Sequence, residues 1–358
     1  MIMLDGLPSQ SHGNFDKALV RLGNPHKKMR LVIVAGANGK SSTCSMIAQI
    51  LQSAGYKVGL LATPFVERPS ECFFVDGQSQ FPDRIEGRIK SIVSKKLLLS
   101  SSEVLSLAAL ELFAYERCEW AVLEASHYKD SLASCVPNVL VITDVEKVGA
   151  VNSADIAQEF TAFIHPNVPL VTGAVGQSKK ILFQDAMGKR SMMVSGEPYD
   201  YQVGLLGDYQ LRNAGLAYEA ARLLEIPNEL IRQGIKNAWW PMCIQQIKGD
   251  VYLDCADTPS RVKAVSEFMV SLGKPLIVVI SIAGDAKPLV DSLPPCMEVI
   301  LTSECDAGIP HTFIPDKAQA ISHALASKGK DDVIFILGDK KFIRDAQISF
   351  GARMSLGL

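Results

Sequence analysis

Apolar residues in this chain come in short runs without polar alternation, and between the runs the spacing changes to that of helices. Runs at 31–34, 58–62, 121–124, 139–142 and 169–172 predict strands, and helical patterns fall near 41–54, 103–117 and 154–164. A run with no alternation is a strand covered on both faces, and strands that take turns with helices build a parallel sheet. Past the tryptophan-bearing stretch 237–250 a second series begins. Its strands are expected at 251–255, 276–282, 299–302 and 333–337, with helices near 260–272 and 317–328. The pattern predicts an α/β chain of two domains, 1–242 and 243–358, of which the second is the smaller. The stretch 177–206 is the least periodic and reads as a small β excursion from the first domain. Chains of this build usually bind a ligand where their domains meet.

Composition narrows the partners. With 358 residues, 48% of them hydrophobic and 21% charged, the chain can bury a sizeable core. A net charge of -2 gives no electrostatic reason to expect nucleic acid or an anionic membrane. No apolar stretch approaches the ~18 residues of a membrane span, and the first residues lack the charged and apolar regions of a signal peptide. Eight cysteines without a CxxC pair read as reduced core residues of a cytoplasmic protein. The histidines form neither HxH nor HExxH, so a histidine-built metal site is not expected.

The chemistry concentrates in Gly36-Ala37-Asn38-Gly39-Lys40-Ser41-Ser42, between a buried strand and the start of a helix. Glycines let backbone N–H groups approach phosphate oxygens, and a helix N-terminus adds partial positive charge. Lys40 can reach β- and γ-phosphates, and a serine hydroxyl can take Mg²⁺. The loop is shorter than GxxxxGK[ST], because Val34 stands at the position of its first glycine. The plainer alternative is a glycine-rich turn with an N-capping serine.

The shortened loop, with asparagine before its second glycine, resembles that of the Mur ligase superfamily. Further segments resemble one branch, the folylpolyglutamate synthase and dihydrofolate synthase family. Leu22-Gly23-Asn24-Pro25 matches its LGNP, and Ala62-Thr63-Pro64 is similar to its TSP turn. Ser102–Ser106 resembles the segment that opens a central-domain helix, and Trp120–Glu124 resembles the AVLEVG strand. Pro169–Gly173 is similar to PVVTG and Gly207–Ala214 to GxHQxxNA. Trp240-Pro241 and Asp254-Cys255-Ala256 stand where WPGR and DGAHNP would be. The segments span nearly the whole chain in the family's order.

The resemblance implies a Mur-ligase-like fold, with a phosphate-loop central domain on a mostly parallel sheet and a Rossmann-like C-terminal domain. It implies an ATP- and Mg²⁺-dependent enzyme that adds L-glutamate to a folate or dihydropteroate through an acyl phosphate. By resemblance Gly36, Asn38, Gly39, Lys40, Ser41 and Ser42 hold phosphates. Ser41, Thr63 and Glu124 hold the first Mg²⁺, Lys40 and Glu124 are catalytic, and Gln210, Asn213 and Asp254 meet the nucleotide. The protein is expected to act as a monomer. From the residues alone, Glu124 could instead cap a turn, Asn213 could be a turn or helix-start residue, and Trp239 and Trp240 could be packing.

Departures from the family gather in one half of the chemistry. The family's glycine-rich stretch after Glu124 is here "ASHYKDSLAS", and "DVEKVGAV" lacks the metal-binding histidine. Phe160 replaces a carbamylated lysine, Cys243 an arginine and Asp257 a histidine. Lys129, Lys147 or Lys248 could supply the missing charge, although each is more often a solvated surface lysine. Two rival readings follow: a nucleotide-binding homologue without turnover, and a Mur-type ligase for a different acid.

Overall fold

The computed structural model describes residues 4, 7–8, 13–62, 68–146, 151–305 and 307–351. The chain divides into two compact units. The larger comprises the residues up to Gly204 together with Gln210–Trp239, and the smaller comprises Leu205–Tyr209 and the chain from Trp240 onward.

The larger unit runs α1 (Phe15–Arg21), β1 (Arg30–Ala35), α2 (Lys40–Ser53), β2 (Val58–Leu61), β3 (Phe73–Val75), β4 (Gln78–Ser79), α3 (Pro82–Val93) and α4 (Ser101–Tyr115). It continues with β5 (Trp120–Glu124), β6 (Val139–Ile142), α5 (Ser153–Phe160), β7 (Leu170–Thr172), α6 (Gly176–Gly188), β8 (Met193–Ser195), α7 (Tyr209–Leu223) and α8 (Asn228–Asn237). Its eight strands form one sheet in the order β4-β3-β2-β5-β1-β6-β7-β8. Strands β2, β5, β1, β6, β7 and β8 run parallel, and β3 and β4 close one edge antiparallel. From Leu31 to Ala35, β1 is wholly buried, because helices cover both faces of the sheet. It lies between β5 and β6, with Val32 opposite both Val122 and Val139.

The expected β excursion does not exist. The stretch 176–188 is helical, and β8 pairs parallel with β7, extending the main sheet instead of leaving it. The helix lacks a clear apolar stripe because Leu182 is buried while two other large apolar residues point outward: Phe183 is 48% and Met187 62% exposed.

The segment Ser102–Ser106 that resembles the family has a structural purpose here. Ser100 caps α4 in a reciprocal box, its hydroxyl accepting from Glu103 N–H at 3.3 Å while Glu103 accepts from Ser100 N–H at 2.7 Å. The second oxygen of this buried carboxylate accepts from the Ser131 hydroxyl at 2.6 Å.

The smaller unit contains β9 (Gln245–Lys248), β10 (Val251–Asp254), α9 (Pro259–Ser271), β11 (Leu276–Ser281), α10 (Lys287–Val290), β12 (Glu298–Leu301), β13 (Thr312–Phe313), α11 (Lys317–Ser327), β14 (Val333–Gly338) and α12 (Lys340–Ser349). Its sheet has the order β13-β12-β11-β14-β10-β9, parallel except for the β9–β10 pair. Tyr252 stacks on Phe335 with ring centroids 5.0 Å apart, and both belong to this unit's own apolar core. Among the described residues no helix is long and apolar enough to cross a membrane.

Replacing Glu103 by alanine strips the Ser100 N–H and the Ser131 hydroxyl of a shared buried acceptor. Urea unfolding of Glu103→Ala is expected to show a loss of about 2 kcal/mol, partly recovered by Glu103→Gln. An unchanged midpoint would contradict this capping arrangement.

Candidate nucleotide site

The chain leaves β1 at Ala35 and turns through Gly36–Gly39 into α2. Two glycines make the turn feasible. Gly36 has φ +132°, and a side chain there would collide with the Thr143 hydroxyl, 2.0 Å from its Cβ position. Gly39 has φ +76° and forms the helix N-cap, so the cap is a glycine in the left-handed region and not a serine. The helical ladder begins with Thr43 N–H donating to Gly39 O at 2.9 Å. The preceding amides of α2 lie in the first turn, where a helix has no internal acceptors.

Lys40, the first residue of α2, folds back and donates to the carbonyls of Gly36 at 3.0 Å and Ala37 at 3.1 Å. Ser41 donates its hydroxyl proton to Glu124 Oε2 at 2.8 Å. Glu124 is the last residue of β5 and only 4% exposed, so the sheet delivers a buried carboxylate to the second residue of α2. Cys44, one turn further, is wholly buried, and burial pushes its thiol well above the usual range. It is a packing residue and not a nucleophile.

Gln210 and Asn213 sit three residues apart near the start of α7, so Asn213 is helical and not part of a loop. Gln210 donates its amide to the Ser42 hydroxyl at 3.2 Å and accepts from Asn213 Nδ2 at 2.9 Å. Asn213 Oδ1 lies 2.1 Å from where a Cβ on Gly39 would be. The pair therefore braces the start of α2. Among the described residues, Gly36, Asn38, Gly39, Lys40, Ser41, Ser42, Glu124, Gln210 and Asn213 are gathered at one end of β1. Thr63 and Lys147 lie outside the described residues.

One residue at this place was not anticipated from the sequence. Asp144, two positions beyond β6, accepts at Oδ1 from the N–H of Ala37 at 2.9 Å and of Asn38 at 2.7 Å. The available signal was a carboxylate just past the C-terminal end of a strand beside β1, where open α/β sheets place ligand-facing groups.

In the smaller unit, Asp254 ends β10, buried, and its Oδ2 accepts from Ile244 N–H at 2.7 Å. Burial raises its carboxyl to about 7, against the backbone N–H groups of Ile244 and Ala256, which favour the charge. That bond holds a contorted turn, in which Met242 has φ +58° and Ile244, a β-branched residue, φ +42°. Cys243 between them lies 3.3 Å from the Tyr209 hydroxyl. Burial, with Cys243 and Asp254 nearby, lifts that hydroxyl well above the usual phenol range.

The Mur ligase middle domain family matches residues 34–150. A folylpolyglutamate synthase of Lacticaseibacillus casei is 24% identical, over 74% of this chain and 73% of its own. A probable bifunctional folylpolyglutamate synthase/dihydropteroate synthase of Haloferax volcanii is 28% identical, over 70% of this chain and 35% of its own. The chain is similar to members of the folylpolyglutamate synthase/dihydrofolate synthase family. It spans about a third of the length of the bifunctional Haloferax relative (35%) and nearly three quarters of the Lacticaseibacillus one (73%). The fold agrees. A bifunctional folylpolyglutamate synthase/dihydrofolate synthase from Yersinia pestis, solved with AMPPNP and a manganese ion, superposes with a TM-score of 0.85 at 19% identity, over 97% of this chain and 96% of that one.

Set against the family, the departures have physical form. Phe160 is 2% exposed and packs against Tyr128 and Phe163 with ring centroids 6.5 and 6.1 Å away, so an aromatic cluster fills the family lysine's position. Lys129 is spent on an ion pair with Glu159 at 3.2 Å, and both groups are solvent-accessible. Lys248 is exposed at the end of β9. Asp257, at the place of the family's histidine, is paired with Arg261 at 2.8 Å. The glycine and arginine of WPGR are Met242 and Cys243, and the histidine of GxHQxxNA is Tyr209. Tyr209 and Cys243 thus fill two altered positions and bond to each other.

The raised carboxyl of Asp254 has a sign that can be checked. Its folded-state value of about 7 lies above the ordinary carboxylate value of about 4, so the native state holds the proton more tightly. The stability it contributes is complete below about pH 4 and is lost as pH rises to about 7. Asp254→Asn keeps an acceptor for Ile244 N–H without the charge. Thermal melts at pH 5 and pH 8 are expected to differ less in this variant than in the wild type, by about 5 °C. An unaltered gap would refute the assignment.

Proposed function

We propose that this chain is an ATP-dependent ligase that joins L-glutamate to a folate or dihydropteroate carboxylate through an acyl phosphate, acting as a cytoplasmic monomer. The observation that carries the reading is the loop 36–42, with its Ser41–Glu124 pair, in a chain similar to this family. The eight cysteines, none joined in a disulfide, suit a reducing compartment.

The residues present fit a magnesium nucleotide. Ser41 and Glu124 offer a hydroxyl and a carboxylate in contact, both hard oxygen donors. No group of three or more His, Cys, Asp or Glu capable of holding a metal occurs among the described residues. Mg²⁺ is bound through one or two protein oxygens and keeps phosphate and water for the rest. When bound, the ion would neutralise charge on the transferred phosphoryl group.

The chain's own residues supply the remainder. The amides at the start of α2 and the Lys40 ammonium bind phosphate oxygens, and Lys40 turns from the carbonyls of Gly36 and Ala37 to do so. Gln210 and Asn213 fix the angle at which α2 presents those amides. Preorganised donors of this kind stabilise developing charge without rearranging during the reaction.

A second reading is favoured by Phe160 and Cys243. Replacement of a cationic or metal-supporting side chain by a core phenylalanine and a thiol suits a homologue that binds nucleotide without turnover.

Incubation with ATP, Mg²⁺, L-glutamate and dihydropteroate or tetrahydrofolate separates the two. The ligase reading expects ADP and a glutamylated product, with kcat/KM reduced about 10²- to 10³-fold by Lys40→Ala. ATP binding that depends on Lys40 without any product would favour the second reading. Gel filtration reads the oligomeric state.

A further inference from the structure

The phosphate loop carries an anion of its own. Asp144 Oδ1 accepts from both Ala37 N–H and Asn38 N–H, and Oδ2 accepts from the Asn38 side-chain amide at 3.4 Å. The Thr143 hydroxyl donates to the same Oδ1 at 3.3 Å, and Asp144 O takes a longer share of Ala37 N–H at 3.2 Å. The loop carbonyls of Gly36 and Ala37 are meanwhile occupied by Lys40. Two amides and two carbonyls of the loop are thus satisfied by one carboxylate and one ammonium from the chain itself.

Such a carboxylate is a chemical substitute for a phosphate. Both groups are anions that only accept hydrogen bonds, and both are bound by backbone N–H groups of a tight loop. A phosphate oxygen that reached the amides of Ala37 and Asn38 would meet Asp144 Oδ1 already there, and two anions at that separation repel strongly. Asp144 is only half-buried, and the chain after it reaches exposed Glu146, so the side chain has solvent to move into.

We propose that Asp144 is an internal stand-in for the outer phosphates of a nucleotide, held on the amides of Ala37 and Asn38 until a polyphosphate displaces it. The carboxylate then sets the affinity of the loop and discriminates by phosphate number, because only a ligand that reaches those two amides has to displace it. This inference rests on the nucleotide-binding reading above.

Asp144→Asn tests it, because the carboxamide oxygen still accepts from the two amides but carries no charge. Equilibrium binding of MgATP and of AMP is measured for the wild type, Asp144→Asn, Asp144→Ala and Lys40→Ala. The expected result is about tenfold tighter MgATP binding in Asp144→Asn, with less than about a twofold gain for AMP. Asp144→Ala removes charge and acceptor together and is expected to tighten MgATP as well. Unchanged or weaker MgATP binding in Asp144→Asn, with weaker binding in Asp144→Ala, makes the residue a brace and overturns the proposal. Equal gains for MgATP and AMP also overturn it. Wild-type binding lost in Lys40→Ala upholds the nucleotide reading whatever Asp144 does. Absence of ATP binding in both the wild type and Asp144→Asn removes both readings.

Discussion

The larger unit depends on one constraint: β1 is apolar along its buried length and enclosed by β5 and β6, so nothing polar can be placed within it. Every group with chemistry to offer is pushed to its C-terminal end. There the glycine turn starts α2, Glu124 ends β5, and Asp144 follows β6, so three neighbouring parallel strands deliver their next residues to one place. A parallel sheet enforces this convergence, because its strands all finish on the same side. The arrangement costs backbone freedom, which is why the turn needs φ angles of +132° at Gly36 and +76° at Gly39.

Much of this was legible in the sequence for a physical reason. Strands buried on both faces lose their polar alternation, so β1, β5, β6, β11 and β14 appear as plain apolar runs. The loop was legible because a glycine turn followed by lysine and serine at a helix start is tied to phosphate chemistry. The α6–β8 stretch was not, because only Ser178, Leu182 and Ala186 of the helix are buried and β8 is a half-buried strand of three residues. Nor was Asp144: its meaning lies in two amides more than a hundred positions earlier, and sequence spacing cannot report that pairing.

The altered family positions also make more sense as contacts than as letters. A lysine-to-phenylalanine change reads as damage until Phe160 is found between Tyr128 and Phe163, where it consolidates apolar packing. Tyr209 and Cys243 look like two independent losses in sequence, yet their side chains meet. The turn around Cys243 keeps a glycine-like backbone at Met242 although the glycine is gone, and the buried carboxylate of Asp254 pins its neighbour Ile244. Such backbone strain persists only where the surroundings over-determine it.

The short segment Leu205–Tyr209 belongs to the smaller unit although the chain on either side of it belongs to the larger one. The two units are therefore threaded through each other in sequence, and the smaller one is not a detachable tail. A chain cut near residue 240 would leave Tyr209 without the sulfur of Cys243, and the C-terminal piece would lack five of its own residues. Exchange of this unit between relatives by a single crossover would separate the same island from its unit.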